Sequence, residues 1–364
     1  MKIAVCGYGV VGKGVVDIID RRDDCEVLYI FTRETLDDKR YTTDYQDILN
    51  DKQVDLVVEA MGGIEPAYSM LKAALEQGKH VVTSNKALVA KHGATLHLCA
   101  QKHGVHFLFE GSVGGGIPIL SALRNGLAHE PIYKIEAILN GTSNYILTQV
   151  IETDASFETV LKRAQRLGYA ERDPSDDVDG FDTARKIAIL GSILTKHFVD
   201  YESIYTVGIR HVHPAIYEFA KKMDFKLKLV ACLETTEAGV TASVEPILLP
   251  KKHPLYQVDD VDNAVAVYGK DVGTIVFKGQ GAGREPTASA VVADVLACKN
   301  PYLVNTTWDF EPVDVKRDKG MYAVWLPVEA EIKPFCNTEI SVVIMDYNEA
   351  QASGGVFVRI EGEL

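Results

Sequence analysis

The sequence predicts an α/β chain with an N-terminal doubly wound parallel sheet, a second α+β domain and a short C-terminal appendage. Three observations carry this reading. The chain opens with the apolar run KIAVC, which enters Gly7-x-Gly9-x-x-Gly12 and then a helical pattern. Apolar strand-like runs alternate with amphipathic helical stretches as far as FLFEG at 107–111, the order of parallel βαβ units. Further on, the strand-like runs FKLKLVACLET, VTASVEPILL, NAVAVYG and TIVFKGQG succeed one another, as in an antiparallel or mixed sheet.

The glycine turn is the first element that points to chemistry. Placed between a strand and a helix, Gly7, Gly9 and Gly12 allow a tight turn, close backbone approach to a pyrophosphate and close helix–strand packing. Val10 and Val11 open the helix whose free N–H groups face the phosphates. This is a Rossmann-like dinucleotide site rather than a plain strand–helix turn. The second strand, CEVLYIFTRE, ends in Thr32 and Arg33 instead of an acidic residue. An arginine there suits a 2′-phosphate, so NADP is expected ahead of NAD, with a surface Arg33 paired to Glu34 as the plainer alternative.

VDLVVEAMGG at 54–63 is a buried parallel strand, PAYSMLKAALEQGK the next helix, and HVVTSNKAL the next strand. Ligands of such sheets lie at the carboxyl ends of the strands, where Glu59, Ser84, Asn85 and Lys86 fall. Lys86 is either a site cation or a solvated lysine that begins the helix KALVAKHG. After FLF come Glu110 and a turn with Gly111, Gly114, Gly115 and Gly116, a carboxylate among uncovered carbonyls that suits a hard cation. KIEAILNGTSNYILTQV is a strand, an NGT turn and a helix.

Residues 171–186, ERDPSDDVDGFDTARK, hold six carboxylates and run into a helix that places Asp182 and Lys186 on one face. Ser175, Asp177, Asp179 and Gly180 imitate half of a calcium loop, but Lys186 stands where its bidentate glutamate should be. A solvated acidic turn capping the helix is the structural alternative. PTASAVVADVLACK at 286–299 is a helix that packs back on the first domain.

At 364 residues the chain exceeds one ordinary core, which favours two domains. A formal charge of −13 repels nucleic acid and anionic membranes and leaves small soluble ligands as partners. No apolar run reaches the ~18 residues of a membrane span. The first residues leave no room for a signal peptide, and the six cysteines form no CxxC pair, so a cytoplasmic location is expected.

SNKALVA, EGSVGGGIPI, ILNGTSNYIL, GYAERDPSDDVDGFDTARKIAIL and GAGREPTASAVVAD, in this order behind GYGVVG, resemble homoserine dehydrogenases from residue 1 to about 299. The resemblance implies interconversion of L-homoserine and L-aspartate 4-semialdehyde with NAD(P), in threonine and methionine biosynthesis. It makes Lys186 the proton-transferring lysine, with Lys86 at the cofactor–substrate interface. Glu171 and Asp182 become carboxylates that hold the substrate ammonium or position the reacting groups, with Gly168 and Asp177 beside them. Ser84 and Gly283 join the cofactor contacts. Glu110 and the carbonyls of Val113, Gly115 and Ile117 match a monovalent cation site, for which sodium is expected; Gly111 departs from the family's usual alanine. The implied division is 1–128 for the dinucleotide, 129–283 for substrate and homodimer formation, 284–299 for the returning helix and 300–364 for the appendage. GMYAVWLPV, SVVIMDY and GGVFVRIEG could be strands of a degenerate ACT-like module.

Two rivals are distinguishable. An aldehyde-oxidising dehydrogenase for the same semialdehyde needs a nucleophilic cysteine, and the nearest candidate, Cys99, sits in an apolar helical pattern. A non-catalytic dinucleotide sensor has no use for Lys86 together with the Glu171, Asp182 and Lys186 group.

Overall fold

The computed structural model describes residues 1–33, 39–237, 239–303, 308–317, 320–327, 340–353 and 356–361. In the first part, β1 (Lys2–Cys6), α1 (Val10–Ile19), β2 (Glu26–Phe31), β3 (Tyr41–Thr42), α2 (Tyr45–Asn50), β4 (Leu56–Glu59), α3 (Ala67–Glu76), β5 (His80–Thr83), α4 (Lys86–Lys102) and β6 (Phe107–Leu108) follow in sequence. Their strands form one six-stranded sheet in the order β3-β2-β1-β4-β5-β6, parallel throughout. The order reverses at β1, where neighbouring crossovers leave on opposite faces and open a crevice at the strand carboxyl ends. The apolar strands need burial on both faces, and the central strand β4 is buried along its whole length.

The second sheet has ten strands and is mixed. Its spine runs Gly273–Gln280, Asp262–Gly269, β7 (Ile132–Ile138), Lys226–Thr236 and Gly239–Leu249, antiparallel at each step. Helices Gly141–Thr153, Phe157–Leu167, Phe181–Thr195 and Pro214–Lys222 share one apolar core with one face of this sheet, through residues such as Ile146, Ile187, Phe219, Ile135 and Leu233. The helix Arg284–Ala297 returns to the first sheet. Its Ala288, Val291, Val292 and Val295 share a core with Val15, Val16 and Ile19 of α1.

The C-terminal residues extend the second sheet. Strand Val356–Ile360 pairs parallel with Gly239–Leu249, and Met321–Pro327 continues the sheet to Ile340–Asp346. The three strand-like runs of the tail are thus strands where they are described, and they join the second sheet edge to edge. No described helix is long and apolar enough to cross a membrane.

Candidate active site

The glycine turn has the geometry its spacing predicts. Gly7 has φ +100°, and a Cβ there would lie 2.6 Å from the Ala60 carbonyl oxygen; one at Gly12 would lie 1.9 Å from that of Gly7. At Gly9 nothing stands within 4 Å. Gly7 and Gly12 are thus needed for packing, while Gly9 leaves its backbone open to a ligand. No side chain caps α1, and Val10 in its first turn is 66% exposed, so the helix N-terminus is available to an anion. Arg33 is exposed two residues past β2; Glu34 lies outside the described residues.

Beside this turn, β5 ends at Thr83, and Ser84 and Asn85 lead into α4. Asn85 caps the helix by accepting the Leu88 N–H at 3.2 Å, which puts Lys86 in the first turn. Its amide also donates to the Gly63 carbonyl at 2.5 Å. Glu59, fully buried at the end of β4, accepts from Thr83 Oγ1 at 2.5 Å and from the Met61 N–H at 2.7 Å. These bonds fix the two strand ends that carry Lys86.

Lys86 meets the helix Phe181–Thr195 at Asp182. That carboxylate is 1% exposed: Oδ1 contacts the Lys86 ammonium, and Oδ2 accepts from Lys186 Nζ at 2.8 Å and from Asn140 Nδ2 at 2.9 Å. Lys186 also donates to the Leu139 carbonyl at 2.7 Å, and Asn140 Nδ2 reaches Asp177 Oδ1 at 2.7 Å. Leu139 and Asn140 immediately follow β7, so the strand end ties both carboxylates and one lysine together. Both lysines line a cleft of about 320 Å³ with Val11, Ser84, Gly115 and Gly281. The cofactor turn and the charged centre therefore open into the same space.

The electrostatics follow from this packing. Burial alone would push the Asp182 carboxyl up, but Lys186, Lys86 and the Asn140 bond outweigh it and hold the group well below the usual carboxylate range. Burial pulls Lys186 below an ordinary lysine; Asp182 opposes that and Lys86 reinforces it. Lys86 also loses hydration, yet Asp182 leaves it above the ordinary value. Asp177 is raised by burial, with the Asn140 bond opposing and Asp182 adding to the rise.

Gly168, with φ +77°, caps the helix Phe157–Leu167, and Glu171 is exposed beyond it. Neither lines the 320 Å³ cleft. Their segment is nonetheless tied to the site: the Tyr169 carbonyl accepts from Thr142 Oγ1 at 2.5 Å, two residues from Asn140. Among the described residues no ion pair or hydrogen bond engages the Glu171 carboxylate. Gly283, with φ +119°, precedes the helix Arg284–Ala297, next to the Gly281 and Ala282 that line the cleft.

Glu110 is 3% exposed beside the cleft. Its oxygens accept the Leu120 N–H at 2.8 Å and the Ser121 N–H at 2.7 Å, and Asp294 takes the Glu110 N–H at 2.6 Å. Burial, with the Glu110 charge adding, raises Asp294 to about 7. The Ile117 carbonyl accepts the Ile119 N–H at 2.8 Å. Two buried carboxylates are hard oxygen donors, the type that suits a cation of low charge, and here each already accepts main-chain N–H groups.

Sequence reasoning took Asn140 for a local turn residue and missed that its amide spans Asp177 and Asp182. Asparagine directly before a helix signals a cap, which it is, since its oxygen accepts the Ser143 N–H at 2.8 Å. The other half of its bonding depends on tertiary contact. Cys99, the rival's nucleophile, is raised by burial on α4, and no cysteine lines the cleft among the described residues.

Residues 118–296 match the family model for homoserine dehydrogenase, and residues 7–110 the model for the NAD binding domain of homoserine dehydrogenase. The Bacillus subtilis homoserine dehydrogenase is 40% identical over 314 residues, 82% of this chain and 72% of that protein. The Neisseria gonorrhoeae enzyme is 33% identical over 398 aligned positions, covering 100% of this chain and 90% of that one. The crystal structure of a homoserine dehydrogenase from Thiobacillus denitrificans superposes with a TM-score of 0.90 at 31% identity, covering 99% of this chain and 98% of that one. A hyperthermophilic archaeal homoserine dehydrogenase in complex with NADPH gives a TM-score of 0.73 at 28% identity, covering 83% and 99%. With two family models spanning most of its length and close relatives matching over four-fifths of it, this chain belongs to the homoserine dehydrogenase family.

Proposed function

We propose that the chain interconverts L-homoserine and L-aspartate 4-semialdehyde, on the strength of one observation above all. Asp182 sits buried between Lys86 and Lys186 in the cleft that the dinucleotide turn opens into. NAD(P), when bound, supplies or accepts the hydride. In the reductive direction the aldehyde carbon gains hydride and its oxygen becomes an alkoxide. Lys186, charged beside Asp182, supplies the proton. Oxidation of homoserine requires the neutral amine of Lys186, so its rate climbs with pH. Lys86 holds the substrate against the cofactor, and Glu171 and Asp182 hold the substrate ammonium or position the reacting groups, with Gly168 and Asp177 beside them.

Arg33 is assigned to the 2′-phosphate of NADP, with NAD as the alternative; the archaeal neighbour in complex with NADPH supports that order. Gly7, Gly9, Val10, Val11 and Gly12 cradle the pyrophosphate, and Ser84 and Gly283 complete the pocket. A monovalent cation, assigned as sodium, is held by Glu110 with the Val113, Gly115 and Ile117 carbonyls and braces a turn whose Val113 and Gly115 line the cleft. Two copies pair through the second sheet, in which strand Gly273–Gln280 lies at one end of the strand order among the described residues. We assign residues 1–128 to the dinucleotide, 129–283 to substrate and dimer, 284–299 to the returning helix and 300–364 to the appendage.

The test is steady-state oxidation of L-homoserine by the purified chain with NADP⁺ and NAD⁺ in sodium or potassium salts. Homoserine-dependent reduction of the cofactor supports the assignment, and its absence with both cofactors refutes it.

A further inference from the structure

Strand Gly239–Leu249 has one edge filled by Lys226–Thr236 along its whole length. The other edge is shared by three segments in turn. Val315–Lys316 pairs with Val240 and Thr241, Tyr205–Thr206 with Ser243 and Val244, and Val356–Ile360 with Ile247 and Leu248. The C-terminal appendage thus brackets Tyr205–Thr206 on both sides. It also grips them by side chains. The Arg317 guanidinium stacks 3.2 Å from the centre of the Tyr205 ring and donates to Tyr322 Oη at 3.1 Å, and Tyr322 in turn donates to Glu245 Oε2 at 2.9 Å.

The bracketed residues lead into the acidic loop. The Val207 N–H donates to the Val244 carbonyl and the Ile209 N–H to the Val178 carbonyl, each at 2.7 Å. Gly208 lies so close to the loop that a Cβ there would stand 2.2 Å from the Val178 carbonyl oxygen. Arg210 then closes a two-pronged pair on Asp179, at 2.9 and 3.0 Å. Asp179 lies two residues past Asp177 and three before Asp182, the carboxylates that share Asn140. Loop, tie and appendage therefore form one continuous path of contacts.

We propose that Arg210 is a positioning residue for homoserine: through Asp179 it holds the 171–182 loop in register, and the appendage holds the segment that carries Arg210. The proposal rests on the reading of that loop as the homoserine site. A two-pronged arginine–carboxylate pair adds orientation as well as attraction, and the substrate ammonium needs its carboxylates fixed before it arrives. The dinucleotide turn lies on the other domain and has no part in this path. The loss of Arg210 should therefore fall on one substrate only.

Steady-state constants of the full chain test this with Arg210→Ala, Arg210→Lys, Asp179→Ala, the Arg210→Ala/Asp179→Ala pair and Arg317→Ala, beside Glu171→Ala as a reference for the loop. Arg210→Ala is expected to raise KM for homoserine roughly fivefold while KM for the cofactor stays within about twofold. Arg210→Lys should recover part of the loss, the double variant should be no worse than either single one, and Arg317→Ala should show the same pattern more weakly. The proposal is overturned if homoserine KM is unmoved in Arg210→Ala while Glu171→Ala raises it, or if both substrates suffer equally. An unmoved Arg317→Ala overturns the role given to the appendage. If neither Arg210→Ala nor Glu171→Ala changes homoserine KM, the reading of the loop itself fails along with the proposal.

Discussion

Replacing Lys186 by alanine separates chemistry from folding in this site. The side chain is 10% exposed and makes two bonds, to Asp182 at 2.8 Å and to the Leu139 carbonyl at 2.7 Å. Without it, Asp182 keeps Lys86 and Asn140, so the buried carboxylate is not stranded. The Leu139 carbonyl loses its donor, which costs about 1–3 kcal/mol. The variant should fold, melt a few degrees lower and still bind NADPH. The chemical step loses its proton donor, a contribution of roughly 10²- to 10⁴-fold, or about 2.7–5.5 kcal/mol of barrier. The assay follows NADPH consumption with saturating semialdehyde, alongside a fluorescence titration of NADPH binding. A fall in kcat of two orders of magnitude or more with intact NADPH affinity is expected. Lys86→Ala, which leaves the donor in place, should cost less in kcat. A near-normal kcat in Lys186→Ala, or a larger loss in Lys86→Ala, would refute the assignment of roles to the two lysines.

Asp182 opposes deprotonation of Lys186, so Asp182→Asn should move the rising limb of the pH profile for homoserine oxidation to lower pH. A limb that stays put or moves upward in that variant shows that Lys186 does not set it. Arg33→Ala should raise KM for NADPH far more than KM for NADH, and equal effects would remove Arg33 from phosphate recognition. Activity or melting temperature should depend on the choice of Na⁺ or K⁺ at constant ionic strength, and Glu110→Gln should weaken that dependence. Indifference of the unmutated protein to the ion would leave Glu110 as a bracing carboxylate alone.

The dinucleotide turn after β1 was legible because a glycine turn between an apolar strand and a helix constrains backbone, side-chain size and helix position together. Asp182 and Lys186 were legible as a pair because helical periodicity is local. Lys86 could be placed at a strand end, but its contact with Asp182, 96 positions further on, depends on how the two domains close. The Asn140 bridge was hidden for the same reason: one amide nitrogen donates to two carboxylates that approach it only in the folded chain. In the tail, apolar β-branched runs indicate strands but not their partners. Pairing of Val356–Ile360 with Gly239–Leu249 is settled by which edge of the second sheet is free.

The most direct test of the central claim is to follow the hydride itself. The purified chain is incubated with L-aspartate 4-semialdehyde and NADPH deuterated at the transferable position of nicotinamide C4, and the products are analysed by mass spectrometry. The account predicts L-homoserine carrying one deuterium on the carbon that was the aldehyde, formed at a rate that collapses in Lys186→Ala. No homoserine, or homoserine without deuterium, would contradict it.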